Sequence, residues 1–392
     1  MEKKITDQEA DEMINQDIYE DMCKCAVHQV PVYSLPSLLH FRNMEQLRAI
    51  AGMLHLRKFA SLKKDALKER LEAEMVKPEN MERLLLLPDK RQLDFFLQLL
   101  DGITPPLDRY RFALYSDLEQ IGLVQSFFSD GKIIFAIADE IRAVCNDVLK
   151  NDFSIKRART DLVREYALAA VNFYGAIYVP AFIDLFNQME NQPVNLFETY
   201  DIFSDHLVLN DGFFFSKTNI ANDDLDQLSD EEISDLLYEA NAHPRYIPAK
   251  EEFLKYVNPD YFPETSQIRA LRKDLRKRLG DDGEVEFLLS AFHSLCIYAF
   301  TTEEMLELLD DSGVKFRNID DANKLLRLMM DVHNSTRLWV NNGNTPDELF
   351  QEEKKYMRPL PDKPFKINRN DYCSCGSGKK FKNCCGKDAI EL

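Results

Sequence analysis

The sequence predicts a mainly α, multi-unit protein, with two short β-hairpins set among its helices and a compact cysteine-rich module after them. Three observations carry this expectation. Apolar residues recur at three- and four-residue spacing along most of the chain, whereas alternating Val/Ile/Thr runs are scarce. A length of 392 residues exceeds what one small core organises, so two to four compact units are expected. Four of the eight cysteines crowd between positions 373 and 385.

Composition narrows the class. Apolar residues make up 45% and charged residues 30%, with 13 Gly and 16 Pro, which suits a folded chain better than a disordered one. The net charge of −18 argues against a nucleic-acid coat spread over the whole molecule. Charge is uneven, however. Residues 38–77 carry nine Lys/Arg against five Asp/Glu, residues 363–392 seven against three, and residues 201–256 four against thirteen. The start, MEKKITDQEADEM, is acidic and has no apolar signal core. Residues 167–186 are the most membrane-like, but Asn172, Gly175, Pro180 and Asp184 suit two buried helices meeting at a turn. No membrane span is expected. Cysteines gathered in a metal-type cluster fit a reducing cytoplasm.

An acidic amino-terminal segment, 1–37, leads into a basic unit, 38–77. Leu47, Ile50, Ala51 and Leu54 share one helical face, and Leu67 and Leu71 share another. Between them runs the link His55-Leu-Arg-Lys-Phe-Ala-Ser61, whose Leu56 and Phe59, with Leu62, are needed to complete the core; Ser61 is the expected N-cap of the second helix. The pattern resembles the Rho-terminator N-terminal and SAP family of helix-extension-helix modules, with His55 where a Gly is usual. That resemblance implies nucleic-acid contact through basic groups at the link, here Arg57, Lys58, Lys63 and Lys64, each able to neutralise a phosphate. The bland reading is a helical hairpin with solvated lysines.

Residues 78–152 and 153–256 read as two winged-helix-like units. In the first, Leu93, Phe96, Leu97 and Leu100 mark a helix, and Asp130-Gly131 between apolar runs marks a hairpin. In the second, helices flank Tyr174-Gly175, and a hairpin is expected to turn at Asn210-Asp211-Gly212. Their acidic balance favours packing or protein binding over reading a DNA groove. Residues 222–239 invite a metal or acid–base reading, but Leu225, Leu228, Ile233, Leu236 and Leu237 at helical spacing, with Ser229 as cap, make an amphipathic acidic helix sufficient. The basic stretch Arg269–Arg278 is a candidate partner for it.

A helical domain, 257–358, holds His293 and Cys296 as core residues, Trp339 as a corner anchor, and a new helix starting at Thr345-Pro346. A Pro-bounded linker, 359–370, leads to the cysteine module, 371–388.

That module reads Cys373-Ser-Cys375-Gly-Ser-Gly-Lys-Lys-Phe381-Lys-Asn-Cys384-Cys385-Gly386. Four thiolates in this spacing suit one structural, tetrahedral Zn²⁺. Gly376 and Gly378 permit the chain reversal between the pairs. Thiolates and ion together leave a charge of −2, which Lys379, Lys380, Lys382 and Lys387 offset, and Phe381 caps the site. A phosphate-loop reading of Gly-Ser-Gly-Lys-Lys fails, because Lys380 stands where Ser or Thr is needed. The segment resembles the SEC-C motif, the zinc module of the SecA carboxy-terminal type. The resemblance implies zinc at Cys373, Cys375, Cys384 and Cys385 and a docking role, with Lys379, Lys380, Phe381 and Lys382 as the candidate surface and chaperones, ribosomes or acidic lipids as partners.

No nucleotide, serine-hydrolase or metalloprotease motif is visible, so the expected function is a non-catalytic adaptor of the bacterial cytoplasm. Cys23-x-Cys25-x2-His28 offers three ligands without a fourth. The alternatives are a nucleic-acid-binding regulator that uses the 38–77 unit and the wings, and an enzyme with a dispersed site, which calls for a deep pocket holding convergent polar groups.

Overall fold

The computed structural model describes residues 7–104, 109–209, 212–298, 301–356 and 368–387. Eighteen α-helices and five short strands are present among them, in two compact units, Met1–Thr345 and Pro346–Leu392. The mainly α class with two small sheets and a terminal cysteine cluster is as the sequence predicts.

In the larger unit a first apolar core runs from Met22 to Phe153. The Met44–Met53 helix starts in a reciprocal cap: Asn43 accepts from the Gln46 amide while the Gln46 side chain returns to the Asn43 amide. Its Leu47, Ile50 and Ala51 face Leu67 and Leu71 of the Lys64–Met75 helix, all fully buried. The N-cap of that second helix is Lys63, which makes no side-chain capping bond, not Ser61. The reason lies in the link. His55 and Lys58 both adopt left-handed backbone, at φ 51° and 58°, and coil the chain for longer than the sequence suggests. Arg48 donates to the Ala60 carbonyl and Arg70 to that of Arg57, which holds the coil in place.

The Asp130-Gly131 hairpin forms as predicted, pairing Gln125–Ser129 with Lys132–Ala136. Both turn residues have positive φ, 51° and 73°, as a two-residue turn of primed type requires.

A second core is built on the long Phe153–Tyr174 helix. Gly175 ends it at φ 75°, and the short strand Ala176–Tyr178 leads into the Val179–Met189 helix. This turn breaks the apolar stretch as expected. Among the described residues no helix is long and apolar enough to cross a membrane. The second hairpin is displaced from its predicted place. The Leu196–His206 helix and the turn after it occupy the stretch read as its first strand; Asn210 and Asp211 lie outside the described residues. Phe213–Ser216 instead pairs forward with Asn219–Asn222 around Lys217-Thr218, and Ala176–Tyr178 adds a third strand. Phe213 packs 5.2 Å from Phe203, so aromatic burial fixes that strand, while its partner, Asn-Ile-Ala-Asn, is buried throughout yet carries no apolar run.

The acidic segment is an amphipathic helix, Asp230–Ala240, with a full Ser229/Glu232 capping box and Ile233, Leu237 and Ala240 inward. A third core joins the helices Ser266–Leu279, Asp282–Ile297, Thr302–Asp311 and Ile319–Ser335. The basic helix in it finds its acids nearby rather than on the acidic helix. Arg272 pairs with Glu264 and Glu286, Arg276 with Asp282, and Arg278 with Asp274 and Asp321. Trp339 anchors the corner: it is 4% exposed, donates Nε1–H to the Asn172 carbonyl, and lies so close over Gly175 that a Cβ there would sit 2.5 Å from its ring.

Candidate metal centre

The cysteine module is held by few bonds of its own. Tyr372 and Lys380 form an isolated antiparallel bridge, flanked by Cys373 N–H to the Lys379 carbonyl and Phe381 N–H to the Asp371 carbonyl, both at 2.8 Å. Between these two edges the chain reverses through Gly376 and Gly378 at φ 78° and 67°. A single turn, Phe381–Asn383, then delivers Cys384 and Cys385. Phe381 closes over that turn, since a Cβ on Gly386 would lie 2.5 Å from its ring.

The result is convergence. The sulfurs of Cys373, Cys375, Cys384 and Cys385 all lie within 4.8 Å of one another, with Cys375 and Cys384 3.4 Å apart and Cys384 and Cys385 3.9 Å apart. A disulfide would need about 2.05 Å. Zinc–sulfur bonds of about 2.3 Å place tetrahedral sulfurs about 3.8 Å apart, so the residues fit that ion. Among the described residues this is the one His/Cys/acid group close enough to hold a metal.

Local dipoles prepare the thiolates. Ser377, through its hydroxyl and its backbone, pulls Cys375 down to about 6, and the hydroxyl also lies 3.1 Å from the Cys384 sulfur. Backbone hydrogen bonds from Cys375 and Cys385 hold Cys373 below the usual thiol range. Cys385 is pushed up to about 12, chiefly by its hydrogen bond with Cys373, as crowded sulfurs cannot all ionise without a cation. The role of Ser377 was missed in the sequence; its place between the two cysteine pairs was the available signal.

Lys379, Lys380 and Lys382 are exposed, and among the described residues none has an acidic partner. Phe381 is half-buried, and Tyr372 stands 76% exposed across from Lys380. The outer face of the knuckle is thus basic, with an aromatic ring at its edge.

The second predicted site is only partly gathered. Arg57, Lys58 and Lys63 are exposed along the 54–63 link, while Lys64 is half-buried and points its ammonium to the His40 carbonyl at 3.4 Å. His55 is drawn the other way, towards Arg83 and the Asp205 carboxylate. Cys23, Cys25 and His28 do not converge: His28 bonds to the Cys23 carbonyl and packs against Phe128. Cys296 is fully buried, and His293 stacks on Phe262.

Parts of the chain resemble larger proteins. It is 26% identical to Protein translocase subunit SecA of Clostridium tetani (strain Massachusetts / E88) over 185 residues, which cover 45% of this chain and 20% of that subunit. It is 28% identical to the SecA subunit of Clostridium novyi (strain NT) over 182 residues, 44% of this chain and 20% of that one. With the SecA subunit of Clostridium perfringens (strain 13 / Type A) the identity is 52% over 147 residues, 34% of this chain and 17% of the subunit. The chain therefore spans a fifth or less of the length of these relatives. No solved structure matches it. Its residues 369–387, which hold all four converging cysteines, match the SEC-C motif.

Proposed function

We propose that this chain is a non-catalytic adaptor of the bacterial cytoplasm whose zinc-held knuckle docks a protein partner connected with translocation, a chaperone or the ribosome. The observation that carries the reading is the separation of roles within twenty residues. Cys373, Cys375, Cys384 and Cys385 turn their sulfurs inward, while Lys379, Lys380 and Lys382 face outward. Zinc would be held by the four sulfurs as a closed structural cross-link with no open coordination position. Its place is to fix the loop, and the loop presents three ammonium groups and Tyr372 in a set geometry. The SecA relatives and the SEC-C match support a translocation-related partner. Affinity capture from a bacterial lysate tests it. Lys379/Lys380/Lys382→Ala, with zinc content unchanged, should lose a chaperone or ribosomal protein that the parent chain retains. Identical capture by both would sink the proposal.

A second reading, nucleic-acid binding by the 54–63 link, is favoured by one observation: Arg57, Lys58 and Lys63 are exposed on a coil braced by Arg48 and Arg70, in a chain of net charge −18. It requires steep loss of DNA or RNA affinity with salt, abolished by Arg57/Lys58/Lys63/Lys64→Ala. No measurable binding at low salt would exclude it.

A further inference from the structure

A cavity of about 210 Å³ lies between the second and third cores, lined among others by Phe173, Tyr256, His293 and Arg337. Its charged groups are committed. The Arg337 guanidinium lies 3.4 Å from the Tyr246 ring centroid and donates to the Gly343 carbonyl at 2.9 Å. Asn342 and Asn344 bond that loop to the His243 and Pro244 carbonyls, and Glu252 is held by Lys255 and the Tyr261 hydroxyl. A cleft at the edge of the third core is different, because it carries more positive charge than its acids match.

This cleft, of about 470 Å³, lies between the helices Ser266–Leu279 and Ile319–Ser335 and the turn from Gly313 to Arg317. Local structure explains its walls. Gly313, at φ 70°, follows the Thr302–Asp311 helix, and Val314 then enters the third core. With Val314 buried, Lys315, Phe316 and Arg317 are carried to the surface, where Phe316 stays 40% exposed. On the facing helix Leu271 and Leu275 are buried, while Lys277 and Arg278, one turn beyond Asp274, line the cleft with it.

The floor is a set of ion pairs. Arg278 and Asp274, with side chains 9% and 8% exposed, form its buried end. Arg278 donates Nε–H to Asp274 at 2.7 Å and both amino groups to Asp321, at 3.0 and 2.9 Å. Lys324 donates to the other Asp274 oxygen. Two cations thus match two carboxylates. Hydrogen bonds from Arg278 and from the Arg317 amide hold Asp321 below the usual carboxylate range, so it stays ionised. Asp310, Asp311 and Asp320 are close in sequence but do not line the cleft. Lys277, Lys315 and Arg317 are left over. Each is exposed, and among the described residues none of their side chains makes an ion pair. Five cations against two carboxylates leave a surplus of three, in a chain of net charge −18.

We propose that this cleft binds a condensed phosphate, two or three phosphoryl groups in a row, either as a free oligophosphate or as the tail of a nucleotide whose base lies on Phe316. A carboxylate suits it less. The buried guanidinium fork is already filled by Asp321, and two of the three spare cations are ammonium groups, point charges suited to phosphate oxygens. A condensed phosphate also spreads several charges along its length, which matches cations drawn from two separate segments. The volume falls in the roughly 300–1,000 Å³ range of small-molecule sites. The cleft belongs to the larger unit and shares no residue with the metal centre or the 54–63 link.

Calorimetry of the full chain at low ionic strength, with diphosphate, ADP and citrate, tests this. Diphosphate or ADP should bind at least tenfold more tightly than citrate. Lys277→Ala/Lys315→Ala/Arg317→Ala should weaken that binding at least tenfold with helicity unchanged. The variants Lys379/Lys380/Lys382→Ala, Arg57/Lys58/Lys63/Lys64→Ala and Cys384→Ser/Cys385→Ser should bind as the parent does, which separates the cleft from the other basic surfaces and from the metal. An ADP advantage over diphosphate that is lost in Phe316→Ala assigns the nucleotide; equal affinities assign the free oligophosphate. The proposal is overturned by citrate binding as tightly as both phosphates, by affinity undiminished in the Lys277/Lys315/Arg317 variant, by an ADP advantage that Phe316→Ala leaves intact, or by no binding at all.

Discussion

The knuckle and the cavity are both small sites lined by converging side chains, yet they are built in opposite ways. In the knuckle, four ligands within thirteen residues converge around a reversal that buries almost nothing; of the four cysteines only Cys373 is fully enclosed. Around the cavity, side chains more than 160 positions apart are brought together by two apolar cores. A site of the first kind should depend on a bound ion for its fold, whereas the second has its fold from the cores around it. Loss of metal should therefore erase one and leave the other standing.

The largest effect tests that division directly. Cys384→Ser/Cys385→Ser, or a strong chelator, should abolish zinc content and collapse the NMR dispersion of residues 369–387, because zinc contributes about 10–16 kcal/mol to such modules. Helicity of the body by circular dichroism should not change; a parallel loss of body structure would break the comparison. Next, Trp339→Ala removes a buried ring and its bond to Asn172, at about 3–5 kcal/mol. Thermal unfolding of the body should shift down while zinc stoichiometry stays at one. A smaller change, Ser229→Ala, deletes the cap of the acidic helix and should cost about 1 kcal/mol, read in urea denaturation. A further effect concerns pH. His293 is held neutral in the folded body, with its value down at about 4 against the ordinary 6.5. As pH falls from about 6.5 towards 4 the unfolded chain takes up a proton that the folded chain refuses, so stability drops across that window. His293→Gln should flatten this slope and leave the pH dependence above pH 7 unchanged.

Where the sequence was legible, the signal was local. The cysteine spacing, Asp130-Gly131, the Ser229 cap and the break at Gly175 each involve residues a few positions apart, and each takes its predicted form. The misreadings came where tertiary packing outweighed the local signal. Asn219–Asn222 forms the central strand of a sheet without an apolar run, because burial on both faces substitutes for β propensity. The second helix of the basic unit is capped at Lys63 rather than Ser61 because two left-handed residues, neither of them glycine, lengthen the coil before it. The task of Asn341–Asn344 is visible only with residues 243–246 beside it. The cavity could not be read at all, since Phe173, Tyr256, His293 and Arg337 come together only through tertiary packing.

Trp339 closes over Gly175 at the seam beside that cavity, and it is the chain's single tryptophan. It therefore gives the molecule an optical label with one address. Its indole is shielded from solvent, hydrogen-bonded at Nε1 and edge-on to Tyr298 at 4.8 Å, so its emission should be blue-shifted and should move to the red when the seam opens. Selective excitation of indole leaves Tyr372 and the rest of the knuckle dark. Fluorescence thus follows the body, and a zinc assay follows the knuckle, in the same unmodified sample.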